Sequence, residues 1–247
     1  MLFSFHLLET TRGRGARLLA ERRAAQEPPG LVHAERMSLM ELGAPIVSPG
    51  RVQLRQLALF AAWDSPDHLD AYLADDPSGR RWSPGWHVRL ELLRRWGHLA
   101  ALDGLPAQGA AHDPDEPVVA VTLARLKLPQ VARFIRWGRP AELQVRDDPG
   151  HTLAVAAGAP PRTVSTFTVW RTAQAMTDMV RGRSNDADPR RHAAAMAERE
   201  RKDFHHEFTT LRFRCRSEHG SWQGRTGIVP TTGPTDAGSG RRPSHRS

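Results

Sequence analysis

Apolar positions along this chain follow a pattern that occurs twice. Leu59-Phe60-Ala61-Ala62-Trp63 is an apolar run that breaks at Asp64-Ser65-Pro66, after which Leu69, Tyr72 and Leu73 recur at helical spacing. Thr166-Phe167-Thr168-Val169-Trp170 breaks at Arg171-Thr172, and Met176, Met179 and Val180 follow at the equivalent positions. Each stretch predicts a strand ending in Trp, a Ser or Thr N-cap, and a helix with one apolar stripe. Such a unit cannot cover its own sheet face, so two copies in one chain are expected to pack on each other.

The repeat extends outward from these junctions. A Pro-Gly turn opens a strand in each half, Pro29-Gly30 before Leu31 and Pro149-Gly150 before His151. Strands are predicted at residues 2–8 and 118–126, each followed by a helix at about 14–26 and 129–145, and further strands close the halves at 86–94 and 206–216. Both halves therefore read β-α-β-β-α-β, the split βαβ or ferredoxin-like unit. The fold class predicted is α+β with two tandem ferredoxin-like repeats. Residues 1–101 form the first repeat, 102–117 a Gly-, Pro- and acid-rich linker, 118–226 the second repeat, and 227–247 a disordered tail of Pro, Gly, Ser, Thr and Arg.

Charge and composition narrow the function. A formal net charge of +8 over 247 residues comes from arginine, since Lys127 and Lys202 are the only lysines. The arginines stand in scattered pairs among acids and form no basic block, so no nucleic-acid partner is expected. Cys215 is the only cysteine, which excludes an intrachain disulfide and points to a cytoplasmic setting. Residues 1–8 read as a strand, no stretch reaches the ~18 apolar residues of a membrane span, and any membrane contact is expected to be peripheral. Gly13-x-Gly15 fails as a dinucleotide fingerprint because Leu18 stands where the third glycine belongs.

Several segments resemble the spheroidene monooxygenase family of carotenoid-modifying proteins, in the dimeric α/β-barrel superfamily that includes antibiotic-biosynthesis monooxygenases. They are residues 58–65, Thr122-Leu123-Ala124-Arg125-Leu126 before Ala132-Arg133-Phe134, residues 166–170, His192 with Glu207, Arg212 and Phe213 at family spacing, and His219-Gly220-Ser221-Trp222. Phe204-His205 departs from the Trp-Tyr that the family carries there. The resemblance implies a pseudo-dimeric α/β barrel enclosing an apolar cavity and an oxygenase activity on a long apolar, carotenoid-like small molecule. It also implies a haem, as in some relatives, or no cofactor where the substrate itself is electron-rich.

Candidate residues follow. His192, at the family's histidine position in an Ala-rich helical run, is either the axial ligand of haem iron or a cap between arginines. Arg125, Arg133 and Arg212 are candidates for holding haem propionates or an acidic substrate through bidentate contacts, against the alternative of surface arginines lying on apolar stems. His205 and His206 point to opposite faces of a strand and cannot share one metal; a functional one would be a polar group at the cavity mouth. Cys215 reads as a buried structural thiol. The preferred reading is a monooxygenase-type oxidoreductase; the alternative is a non-catalytic apolar-ligand-binding α/β barrel.

Overall fold

The computed structural model describes residues 1–20, 27–45, 48–183 and 191–231. The first half runs β1 (Leu2–Glu9), α1 (Arg12–Ala20), β2 (Leu31–Met40), β3 (Gln53–Trp63), α2 (Pro66–Asp75), α3 (Gly79–Trp82) and β4 (Trp86–His98). The second runs β5 (Val118–Leu126), α4 (Val131–Asp147), β6 (His151–Ala159), β7 (Thr163–Trp170), α5 (Ala173–Val180), α6 (Arg191–Arg201) and β8 (His205–His219). The strands close into an antiparallel barrel in the order β1-β3-β2-β6-β7-β5-β8-β4. The fold is therefore α+β, with four neighbouring strands from each half.

The halves meet unequally. The β4·β8 ladder extends from His87 opposite His219 to His98 opposite Phe208, whereas β2 and β6 pair only from Ser38 opposite Gly158 to Met40 opposite Ala156. Trp63 stands opposite Leu2 and Leu31, and Trp170 opposite Val118 and His151, so each Trp closes the ladder at the first residue of both neighbouring strands. The expected caps form: Ser65 Oγ accepts from His68 N–H, and Thr172 Oγ1 accepts from Ala175 N–H. Each satisfies one of the amides that a helix start leaves without an intrahelical partner. Gly15 serves packing, since a Cβ there would fall 1.9 Å from the Leu54 carbonyl oxygen.

Strand alternation sorts side chains between the two faces of the closed sheet. Inward positions come from all eight strands and include Phe3, Phe5, Phe60, Trp86, Phe167 and Phe213, all fully buried. The barrel interior is thus packed solid, which corrects the expectation of an apolar cavity enclosed between the halves. Eight strands leave an interior that side chains of this size fill.

Two boundaries differ from the expectation, and a third lies outside the described residues. The 102–117 segment is held on β4, with Gly109 N–H bonding Leu93 O and Arg95 N–H bonding Ala107 O, and Leu102 is buried. Residues 227–229 belong to the barrel, because Ile228 is buried and Glu218 accepts the N–H groups of Ile228 and Val229; of the expected tail, 232–247 lie outside the described residues. Helix α1 was expected to reach residue 26, and 21–26 likewise lie outside the described residues.

Candidate functional site

Because the barrel interior is full, free space lies on its outer face, beneath the helices. In the first half that face is covered by Leu57, Leu59, Trp63, Leu69, Tyr72 and Trp82. The second half packs only one end in this way, with Val118, Trp170, Ala173, Met176 and Met179. At its other end a cavity of about 260 Å³ opens between α4 and the small outward residues Thr122, Ala124, Ala156 and Gly158, walled by Phe134 and Phe208. A larger groove of about 940 Å³ runs between residues 9–14 and 48–56. It is lined by polar element ends, and we place the site in the smaller cavity, where apolar walls surround a buried imidazole.

That imidazole is His205, 4% exposed. A register shift at the start of the β5·β8 ladder places it opposite Leu126 while Glu207 stays opposite Arg125, so His206 projects to solvent and His205 turns under α4. The ring is boxed by Phe134 at 5.6 Å, Phe204 at 5.8 Å and Phe208 at 4.9 Å between centroids. Nδ1 lies 2.9 Å from Asp203 Oδ1. A carboxylate on one ring nitrogen fixes the tautomer and the ring orientation, which prepares the other nitrogen to handle a proton. The expectation that His205 and His206 point to opposite faces holds, and His205 lies inside the cavity wall, not at its mouth.

The four residues singled out as cofactor ligands are not gathered at one place. Arg125 has the inward parity of Val119, Val121 and Leu123; its guanidinium bonds Glu35 and Thr163 and lies 3.7 Å from Glu207. Burial raises the Glu35 carboxyl, but the hydrogen bonds from His33 and Arg125 outweigh it and hold the group below the usual carboxylate range. Arg133 is engaged by Glu198 and by the Lys202 carbonyl and stacks 4.4 Å over Phe204. Arg201, and next Arg133, hold Glu198 down at about 2. Arg212 lies on the outward face of β8, opposite Arg94 and Ala120. His192 falls within α6, and its side chain lies outside the described residues. The Cys215 thiol is pushed up to about 12, by burial and then by the Glu218 charge, as suits a structural thiol.

Sequence reasoning missed a row of three histidines. His6, His87 and His219 stand side by side on β1, β4 and β8, with ring centroids 4.9 and 4.7 Å apart and planes within 20°. Both ring nitrogens of His6 and of His87 lack a hydrogen-bond partner. Burial, then His87 and Arg89, depresses His6 well below the usual histidine value. His87 falls to about 4, through burial, then His219 and Arg89, against a weaker pull from Asp70. The spacing of 81 and 132 residues between these positions offered no local signal. Stacked rings cannot converge on one ion, and among the described residues no group of three His, Cys, Asp or Glu is placed to hold a metal.

Haem, which the resemblance implies, does not fit the described walls. A porphyrin exceeds the drug-sized ligands that occupy sites of about 300–1,000 Å³, and this cavity falls below that range. Two of the arginines assigned to propionates are already closed by Glu35 and Glu198.

No protein-family model matches the chain. It is 30% identical over 181 residues to spheroidene monooxygenase of Rhodobacter capsulatus, covering 69% of this chain and 71% of that protein. Among solved structures it resembles an aldoxime dehydratase crystallised with butyraldoxime, at 10% identity and TM-score 0.46, with 87% and 78% of the two chains covered. It also resembles a ferredoxin-fold protein of Listeria monocytogenes related to antibiotic biosynthesis monooxygenases, at 12% identity and TM-score 0.28, covering 85% and 94%.

Proposed function

This chain belongs to the spheroidene monooxygenase family, and on that premise we propose that it is a monooxygenase-type oxidoreductase acting on a carotenoid-like apolar substrate, one slender end of which enters the cavity under α4. One observation carries the reading. The outer sheet face is filled by large side chains in the first half and left open in the second, over the small residues Thr122, Ala124, Ala156 and Gly158. Small residues on a sheet face let an extended hydrocarbon lie against the backbone, and the hydrophobic effect favours its entry by about 25 cal/mol per Å² buried.

In this reading Phe134 and Phe208 hold the chain of the substrate, the packed wall excludes water, and His205, oriented by Asp203, moves a proton at the reacting end. The barrel core takes no part. We read the two halves as tandem copies of one ferredoxin-like unit, forming a pseudo-dimer in which only the second copy keeps the site.

The cavity is too small to hold haem, so oxygen activation is not assigned to it, and the expectation from the resemblance that His192 ligates haem is tested separately. Titrating haemin into the protein tests this part by itself: one saturable Soret band lost in His192→Ala supports it, and an unchanged spectrum removes it. The site itself is tested with Ala124→Phe, which fills the cavity. Wild-type protein given an acyclic carotenoid in detergent, dioxygen and a reductant should yield a product heavier by one oxygen, and the variant should not. Equal binding and turnover by a folded Ala124→Phe protein overturns the cavity assignment.

A further inference from the structure

Two arginines stand over one tryptophan on the outer face beside the cavity, and among the described residues no acid pairs with either. The bulge at Leu93, which tucks that side chain among Val118, Trp170 and Met176, brings Arg94 and Trp96 of β4 to the outward face. There Arg94 pairs with Arg212 and Trp96 with Thr210. The guanidinium carbons of Arg94 and Arg212 lie 4.5 and 4.7 Å from the centre of the Trp96 ring.

Burial, then the charges of Arg94 and Arg181, lower the Arg212 pKa. Neighbouring arginines of the same sheet are neutralised, Arg214 by Glu91 and Glu116 and Arg216 by Glu91. Among the described residues no carboxylate or carbonyl engages the guanidinium of Arg94 or Arg212. Holding like charges together on a half-buried face costs free energy unless something negative joins them.

The cluster also adjoins the cavity. Thr210 pairs with Trp96 on one side and with Thr122 on the other, and Thr122 lines the cavity. From the Arg212 row to Phe208 is four residues along β8, or about 13 Å at the rise of a strand.

We propose that Arg94 and Arg212, arrayed over Trp96, form a carboxylate-binding site that holds the charged end of an amphipathic ligand whose hydrocarbon chain runs past Thr210 and Thr122 into the cavity. The inference rests on the cavity being the substrate site. It adds that the preferred ligands carry a terminal carboxylate, such as acidic cleavage products of a polyene or long-chain acids. An Arg fork and a carboxylate are matched in geometry, and the indole face confines the guanidinium groups to the planes that present them.

The test is calorimetric titration of the full-length protein with sodium decanoate and with 1-decanol, which share a chain length of about this span. Decanoate should bind about tenfold more tightly or better, in line with a charge-assisted hydrogen bond, and its advantage should shrink as salt rises. Arg212→Gln should remove most of the difference and leave decanol unchanged, and Arg94→Gln, at an exposed position, should do so in part. Thermal stability of Arg212→Gln should be equal or higher, because a repulsion is relieved. Equal affinity for the two probes, or an Arg212→Gln protein that keeps the preference, overturns the carboxylate site while the cavity stands. Failure of both probes to bind overturns the cavity reading together with it.

Discussion

Phe5 of β1 and Phe167 of β7 stack in the barrel interior with ring centroids 3.8 Å apart and planes within 13°. They come from opposite halves of the chain. Phe60 and Phe213 join Phe3 in a second aromatic group at 5.9 and 5.0 Å, so the seam between halves is held by rings as well as by the β4·β8 ladder.

Truncating either stacked ring should therefore be felt by the whole barrel. Phe167→Ala and Phe5→Ala should each cost about 3–5 kcal/mol in denaturant unfolding, and the double variant should cost less than their sum, since the two share a contact. Additive losses, or a loss under about 1 kcal/mol for either, would show that the rings do not pack on one another.

The histidine row predicts acid sensitivity. His6 and His87 are depressed in the folded state, whereas an unfolded chain takes up protons near 6.5. Between pH 6.5 and about 4 the unfolded state therefore binds more protons, and stability should fall as pH drops through that window, while above it the row contributes no slope. His6→Phe removes an imidazole with no hydrogen-bond partner, so it should cost nothing at pH 7.5 and flatten the loss at pH 5, as read from thermal melts across pH. An unchanged pH profile in that variant would count against the row as its source.

Arg125 is expected to act in folding. Removing it leaves the Glu35 carboxylate, 4% exposed, with the His33 ring 3.1 Å away as its remaining partner among the described residues. Arg125→Met should cost about 3 kcal/mol, the low end for breaking a buried pair, and Glu35→Gln in the same chain should restore much of it. Full stability in Arg125→Met, coupled with weaker ligand binding, would return Arg125 to the site.

His205 separates binding from chemistry. His205→Phe keeps an aromatic ring beside Phe134, Phe204 and Phe208 and should leave substrate affinity within about twofold. Turnover should fall by about 100-fold or more if the imidazole moves a proton. Asp203→Asn should lower turnover less and shift its pH profile, since the ring keeps its place and loses its charged partner. A His205→Phe protein with normal turnover would make the residue a wall of the cavity.

Much of the fold was readable from local pattern. The paired apolar runs ending in Trp63 and Trp170, the hydroxyl caps at Ser65 and Thr172, and strand 118–126 are all set by period and by side-chain chemistry within a few residues. Helix α3 escaped because four residues carry no period, although its Trp82 is wholly buried. Histidine 205 was readable as one of two faces, but the register shift that turns it under α4 was not. Likewise, nothing near Arg125 announces Glu35, 90 residues earlier.

Local pattern in the amino-acid sequence was enough for the kind and order of most elements and for the family, because caps, periodicity and turn residues act over short separations. Which sheet face holds the cavity, which arginines are spent on internal acids, and which histidines meet became visible only in the folded barrel. Those outcomes depend on barrel closure through β4·β8 and β2·β6 and on bulges that reverse a strand's facing. Ladders between residues more than a hundred positions apart are settled by the packing of both halves at once, so no local signal records them.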